Sequence, residues 1–384
     1  MDQQAAQIAI QPSLTRFAGY FLWLGTVGFG GPIALAGHMQ QDLVHARGWI
    51  REQDYIEGLA LAQLAPGPLA AQLAVYLGYI HSGILGATAV AVAFILPSFL
   101  MVLALSAAYV RLGGLPWMQG MFYGIGAGVI AIIIRSAYKL SKLTLGKDRL
   151  LWAIFAVLAV STAYTSREII WLFLLGGLLA VVVKAFPRHL HASKTACGIL
   201  APGALALSGK GSVLLQIFTY FAKAGMFVFG SGLAVVPFLY GGVVLGHHWL
   251  TDHQFVDAVA VAMITPGPVV ITVAFIGYLV AGIGGAIAAA VGIFLPVYLV
   301  VVVLAPSYKR WAKNPQLNAF VRGVTAGATG AIAGAVVVLA RRSVYDLTTL
   351  IICATSLVVL FRWKVPEPVL IAGVAVIGLA LHHG

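Results

Sequence analysis

The stretch "LAPGPLAAQL" (residues 64–73) places Pro-Gly-Pro inside one of the most apolar parts of the chain. The stretch "ITPGPVVITV" (residues 264–273) repeats the tripeptide at the matching position two hundred residues later. Proline lacks a backbone N–H and disfavours helix in the residue before it, so each tripeptide ends one helix. Pro68 and Pro268 then suit the first turn of a new helix. The sequence therefore predicts two broken helices at equivalent positions.

The composition around both breaks is that of a membrane protein. The chain has 384 residues, of which 61% are hydrophobic and 9% charged, and its mean hydropathy is +0.99. These values exclude an ordinary soluble domain and indicate a helical protein that crosses the lipid bilayer several times. The net charge of +12 comes from Lys and Arg in short loops between apolar segments. Since this is the positive-inside pattern, we predict no nucleic-acid partner.

An internal duplication covers nearly the whole chain. Residues 29–31 (FGG) recur as residues 229–231 (FGS), and Trp49 recurs as Trp249. After a one-residue deletion the match continues between equivalent glycines and prolines of the two halves. Repeats of this kind build transporters whose substrate site lies at the repeat interface. We predict an N-terminal transporter repeat, a basic cytoplasmic linker and an inverted C-terminal repeat: residues 1–187, 188–211 and 212–384.

The distribution of Lys and Arg favours a re-entrant hairpin in each half. If all six apolar segments of a half crossed the membrane, basic loops would fall on both sides without a useful bias. If the Pro-Gly-Pro segment turns back, the second half is inverted and most basic residues share the cytoplasmic side. The other side then holds only Arg16, Arg111, Arg167, Arg341 and Arg342. We expect an all-α polytopic membrane protein of two inverted-topology repeats, each with about five crossing helices and a re-entrant Pro-Gly-Pro broken helix.

The breaks predict a site for an anion, although the tripeptides could also serve only to kink a helix for packing. Irregular backbone survives in a membrane where it is buried in protein or lines a cavity. A helix N-terminus carries partial positive charge and presents N–H donors, here around residues 69–71 and 269–271. Glycine clusters in the first apolar segment of each half allow an unwound backbone, and neutral donors flank the breaks: Gln63, Gln72, Thr265 and Thr272. The predicted substrate-binding residues are Gly30, Gly31, Pro32, Gln63, Pro66, Gly67, Pro68, Lys223, Gly230, Ser231, Gly232, Thr265, Pro266, Gly267, Pro268 and Arg322.

Ionisable residues within apolar segments supply further candidates. Lys223 and Arg322 are potential substrate ligands, or they extend from a segment end to the membrane surface. The equivalent carboxylates Glu57 and Asp257 could carry coupling protons, or they could stabilise the start of a helix. His38 could titrate near neutral pH or fill a structural role. Glu57, Asp257 and His38 are therefore the predicted coupling candidates.

At these residues the chain resembles the chromate ion transporter family. Its two-half members carry an FGGP-like element in the first half, an FG-small-G element in the second and a Pro-Gly-Pro break in both. The resemblance implies secondary active export of chromate from the cytoplasm, with sulfate as a close analogue, across a bacterial-type inner membrane. Family members often have a His beside Ala after the first element, whereas here the His is delayed to His38. The corresponding elements of this chain are residues 29–32, 229–232, 66–68 and 266–268.

Other functional classes find less support in the sequence. The chain has no His-Glu-x-x-His, nucleophile elbow or nucleotide-binding motif, so we predict neither an enzyme nor direct use of ATP. Cys197 and Cys353 lack a metal-type spacing, and no metal or cofactor is predicted. A passive anion channel and a transporter of another small anion stay open as alternatives. Exchange against sulfate, coupling to protons and a homodimer also stay open.

Overall fold

A computed structural model describes residues 12–29, 31–112, 116–165, 170–185, 212–227, 229–230, 235–307, 314–363 and 365–381. Within these ranges the chain is helical apart from short connections and one two-residue ladder. Four of the described helices are long and apolar enough to cross a membrane: Leu69–Leu112, Gly120–Leu145, Val269–Leu304 and Pro315–Arg341. The predicted class of an all-α membrane protein is therefore confirmed. The linker and the predicted site residues Gly30, Ser231 and Gly232 lie outside the described residues.

The first half contains seven described helices. A π-helical segment, Gln40–Ala46, extends the second of them, and a two-residue strand, β1 (Gly67–Pro68), separates the third from the fourth. The helices are α1 (Leu14–Val27), α2 (Gly31–Met39), α3 (Glu52–Leu64), α4 (Leu69–Leu112), α5 (Pro116–Leu145), α6 (Arg149–Thr165) and α7 (Ile170–Lys184).

The second half has the same order of helices, but its strand lies elsewhere. Strand β2 (Phe229–Gly230) follows its first helix, the π-helical segment Gly241–Gly246 follows its second, and a 3₁₀ turn, Val269–Ile271, precedes its fourth. The helices are α8 (Val213–Phe227), α9 (Val235–Tyr240), α10 (Asp252–Ile264), α11 (Thr272–Leu304), α12 (Pro315–Ser343), α13 (Leu347–Arg362) and α14 (Glu367–Leu381).

The first apolar segment of the chain is broken and turns back. α1 ends at Val27, and α2 begins at Gly31, whose φ of +75° favours glycine. The guanidinium groups of Arg16 and Arg47, at the two ends of this segment, lie 5.4 and 4.7 Å from the ring of Trp49. The expected separation of Arg16 from Arg47 across the membrane is therefore wrong. The first half contains two broken hairpins where we expected one, because the glycine cluster interrupts its helix as Pro-Gly-Pro does.

The helix that follows each Pro-Gly-Pro break contains a sharp turn. In α4 the turn lies at Ser82 and Gly83, where φ reaches +60° at the glycine. A Cβ added to Gly78 would lie only 2.5 Å from the carbonyl oxygen of Gly86, so the two parts of α4 pack closely against each other. α11 has the equivalent turn at residues 281–282. Each Pro-Gly-Pro segment therefore forms a helical hairpin, and a long apolar helix follows it.

Candidate functional site

Each Pro-Gly-Pro break lies against the Phe-Gly element of the other half. β1 pairs in parallel with β2, so that Gly67 is opposite Phe229. In the second break the N–H of Gly267 donates to the carbonyl oxygen of Gly28 at 2.8 Å. Four elements that are far apart in the sequence thus meet through their backbones.

The central glycines of the breaks have conformations that require glycine. φ is +139° at Gly67 and +100° at Gly267, a region that L side chains rarely adopt. A Cβ at Gly267 would lie 1.9 Å from Oγ of Ser98, and a Cβ at Gly67 would lie 2.8 Å from the side chain of Val297. Ser98 and Val297 each follow the proline inside the long helix of their half. Each break therefore approaches the other half's long helix at an equivalent point.

A small cavity lies between the two breaks. Residues at or near the FGGP element of the first half and both Pro-Gly-Pro elements line it, and the lining is apolar apart from backbone groups. Its free space fits about one water molecule, so a tetrahedral oxyanion requires the surrounding elements to move apart. The lining residues are Pro32, Leu35, Pro68, Ala70, Gly267, Pro268, Val269 and Val270.

New helices begin at the cavity, but the two halves differ in the donors they offer. α4 starts directly after Pro68, and the first N–H groups of an α-helix have no acceptor within the helix. In the second half the N–H of Ile271 donates to the carbonyl oxygen of Pro268 at 2.9 Å. The expectation of a free donor at Ile271 is therefore wrong, because the tighter 3₁₀ turn uses it.

The neutral polar residues beside the breaks have different surroundings. Gln72 is fully buried, and its amide nitrogen donates to the carbonyl oxygen of Pro66 at 2.6 Å. Its Oε1 is buried without a hydrogen-bond partner among the described residues. The hydroxyl of buried Thr265 donates to Val261 of its own helix at 2.7 Å. Gln63, in contrast, is exposed.

The two predicted cationic ligands do not join the cavity. The side chain of Lys223 is exposed and acts electrostatically on His247. Burial, together with the charge of Lys223, lowers the pKa of His247 below its ordinary value. Arg322 is exposed and lies in electrostatic contact with Lys184. Both contacts fit the alternative in which these cations extend to a membrane surface.

The predicted coupling residues also differ from one another. Asp257 is buried, and its Oδ2 accepts a hydrogen bond from the hydroxyl of Tyr109 at 2.7 Å. Glu57 is half-buried and accepts from the amide of Gln53 at 3.2 Å. His38 is exposed on α2. No group of three His, Cys, Asp or Glu that could hold a metal ion occurs in the described ranges.

Sequence reasoning missed Tyr109 and Ser98. Ser98 follows Pro97, which the repeat aligns with Pro296, so the aligned prolines could have directed attention to it. Tyr109 contacts Asp257 across 148 positions of sequence. Tyrosines occur in many other apolar segments of the chain, so nothing local distinguished this one. The repeat does align it with Tyr308, which lies outside the described residues.

The chain is similar over most of its length to known chromate transporters. The chromate transporter family model matches residues 15–181 and 215–379. A chromate transport protein of Cupriavidus metallidurans is 58% identical over 381 residues, which cover 97% of this chain and 95% of that protein. A probable chromate transport protein of Synechococcus elongatus is 53% identical over 374 residues, covering 96% and 95%. A chromate transport protein of Pseudomonas aeruginosa is 33% identical over 363 residues, covering 90% and 86%. No solved structure matches the chain.

The family match covers one range in each half and most of the chain. It agrees with the paired FG and Pro-Gly-Pro elements that meet at the cavity. Members of this family are transport proteins and not enzymes. The chain belongs to the chromate transporter family.

Proposed function

We propose that the chain is a secondary transporter that exports chromate from the cytoplasm through an anion site between its two Pro-Gly-Pro breaks. The observation that carries this proposal is the contact of each break with the Phe-Gly element of the other half, around one cavity. Relatives that cover nearly the whole chain are chromate transport proteins. Our proposal extends that substrate to this chain.

The site suits an anion that must be bound and then released. Helix starts and exposed backbone N–H groups bind oxyanions without a full positive charge. Because Lys223 and Arg322 lie elsewhere, the proposed site holds the anion by backbone groups and helix dipoles rather than by an ion pair. Sulfate shares the charge and tetrahedral shape of chromate, so we propose that it competes for the site.

Inverted repeats and alternating access are supported by the contacts between the long helices. Oγ1 of Thr88, near the start of the long part of α4, lies 2.7 Å from the hydroxyl of Tyr298 near the end of α11. The ring of Tyr109, near the end of α4, packs 5.2 Å from that of Phe275. Phe275 lies on the short arm of α11 before its turn, and this arm packs back against the start of the long part, since a Cβ on Gly277 would lie 2.2 Å from the carbonyl oxygen of Gly285. This pattern is expected when equivalent helices run in opposite directions. Movement of one half against the other would then open the cavity to each side in turn.

We propose that the face carrying Arg16, Arg47 and Trp49 is cytoplasmic, in a bacterial inner membrane. Two crossings, by the long part of α4 and by α5, return the chain to this face at the basic cluster 135–149, as the positive-inside rule favours. In this arrangement the end of α7 and the start of α8 lie on opposite faces. We therefore do not propose a cytoplasmic position for linker 188–211.

Counterflow in proteoliposomes tests the proposed function. Vesicles loaded with sulfate receive labelled chromate outside, and saturable uptake that internal sulfate stimulates is the expected result. Uptake that does not saturate and ignores the internal anion would indicate a channel. The absence of chromate flux would overturn the substrate assignment. Uptake into inside-out membrane vesicles tests the direction of export, and light scattering of the purified protein tests whether the chain forms a homodimer.

A further inference from the structure

Asp257 is a buried carboxylate whose hydrogen-bond partner comes from the other half of the chain. Its side chain is 7% exposed, and Tyr109 donates to its Oδ2 at 2.7 Å. Tyr109 lies on α4, whereas Asp257 lies on α10. The rings of Phe122 and Phe275 pack edge-on against that of Tyr109, with centroids 5.6 and 5.2 Å away. The pair therefore lies in an apolar setting between the two halves.

The other charged groups on α5, α10 and α14 are exposed or have partners of their own, and Arg111 on α4 is exposed. On α10 itself Asp252 accepts from Tyr240, and His253 is exposed. Next to α5, Asp346 accepts from Tyr123, and on α14 Glu367 lies in electrostatic contact with Arg135 and Lys139. Among the described residues, Tyr109 is the titratable group that acts on Asp257. A buried carboxylate without a cation is costly, and binding a proton removes that cost.

α10 connects this pair directly to the second break. The helix runs without interruption from Asp252 to Ile264, and Pro266 and Gly267 follow it. Pro266 lies nine positions after Asp257, and the seven helical steps from Asp257 to Ile264 span about 10 Å. A change in the position of α10 at Asp257 is therefore transmitted to the backbone that lines the cavity.

We propose that Asp257 and Tyr109 form a proton-binding site that couples proton movement to anion transport, an inference that rests on the proposed function. A proton from water binds the carboxylate and returns to water on the other side after the halves have moved. Protonation replaces a charge-assisted hydrogen bond by a neutral one, and such bonds are roughly half as strong. The link between α4 and α10 weakens, and the second hairpin is free to shift.

The first test replaces the carboxylate by a group of the same shape that cannot bind a proton. Proteoliposomes containing Asp257→Asn are assayed for counterflow at equal pH and for uptake under an imposed pH gradient. We expect counterflow to persist and the stimulation by the gradient to fall to the level without a gradient. Asp42→Asn is the control, because the half-buried carboxylate of Asp42 also accepts from a tyrosine hydroxyl, that of Tyr20 at 3.1 Å, but within its own half. It should keep both activities. Gradient stimulation that survives in Asp257→Asn would overturn the proton site, whereas missing chromate counterflow in the wild type would instead contradict the proposed function.

The second test keeps the carboxylate and removes only the donor. In Tyr109→Phe the charged carboxylate loses a hydrogen bond, so the pH profile of uptake should move to higher pH by about one unit. Tyr298→Phe is the matched control, because it also removes a 2.7 Å hydrogen bond between the halves but one with a neutral partner, Thr88. Its profile should not move. A shift in both variants, or in neither, would contradict the proposal.

Discussion

The N–H of Gly267 donates to the carbonyl oxygen of Gly28 across 2.8 Å, and this bond joins a break of the second half to the glycine cluster of the first. The pairing of Gly67 with Phe229 makes the corresponding connection in the other direction. Backbone groups at membrane depth need partners within the protein. Each half therefore stabilises the unwound backbone of the other, and a change at one break should affect both.

Gly267→Ala should reduce chromate counterflow about tenfold or more. The new Cβ would lie 1.9 Å from Oγ of Ser98, and φ of +100° is unfavourable for alanine. Strain of this kind costs about 1–3 kcal/mol, and each 1.4 kcal/mol is a factor of about ten. The initial rate of uptake measures the effect. Gly37→Ala is the control, since a Cβ there meets nothing within 4 Å.

Removing the side chain of Ser98 separates the two causes of that loss. In the double variant Gly267→Ala/Ser98→Gly the steric contact is relieved, but the φ of residue 267 still disfavours alanine. We expect partial recovery of uptake relative to Gly267→Ala. Full activity of the single variant Gly267→Ala would show that transport does not need this backbone conformation.

Gln72→Leu should lower the free energy of unfolding by about 1 kcal/mol, the usual net contribution of one hydrogen bond. The substitution leaves the carbonyl oxygen of Pro66 without the amide that now donates to it at 2.6 Å. Thr272→Val, at the equivalent position, should cost less because the backbone N–H of residue 272 also bonds Val269. Denaturant unfolding in detergent measures both variants. Equal losses would contradict a special role for Gln72 at the first break.

Lys223→Ala should retain chromate counterflow, because the side chain is exposed and acts on His247 rather than on the cavity. The same change should raise the pKa of His247 towards its ordinary value, since a nearby positive charge disfavours the protonated imidazole. Uptake assays and NMR titration of labelled histidines test the two parts. Loss of uptake in a folded variant would indicate that Lys223 contributes to substrate binding.

Asp346 caps α13, and its contribution to the free energy of unfolding should depend on pH. Its carboxylate accepts from the backbone N–H of Thr349 at 2.6 Å and from the hydroxyl of Tyr123 at 2.5 Å. These two bonds lower the pKa of Asp346 below its ordinary 3.8, and the bond from Thr349 has the larger effect. The stabilisation is therefore present above the pKa of the unfolded chain and is lost as pH falls through the pKa of the folded protein.

Asp346→Ala should accordingly cost about 1 kcal/mol at neutral pH, as expected for a lost N-cap. Thermal unfolding in detergent at a series of pH values measures it, and the difference from the wild type should shrink in acid. Asp346→Asn keeps an oxygen acceptor, so its loss should be smaller, and its own stability should lack the contribution that the wild type loses in acid. A pH-independent effect of Asp346→Ala would mean that the carboxylate charge does not contribute.

Local features of the fold were predictable because proline and glycine restrict the backbone wherever they occur. The breaks at residues 66–68 and 266–268 lie where the sequence predicted them. The prediction that Arg16 and Arg47 lie on different sides was wrong, because loop charges alone do not show that a glycine cluster turns the chain back.

By itself the sequence determined the helical membrane class, the duplication, the positions of the Pro-Gly-Pro breaks and the resemblance to the chromate transporter family. Composition and short motifs carry that information, since they act within a few residues. Only the tertiary structure decided that each break meets the Phe-Gly element of the other half, that Asp257 meets Tyr109, and that Lys223 stays away from the cavity. These relations depend on how helices far apart in the sequence pack and which face of each helix is buried. Apolar segments of similar composition do not encode that choice locally.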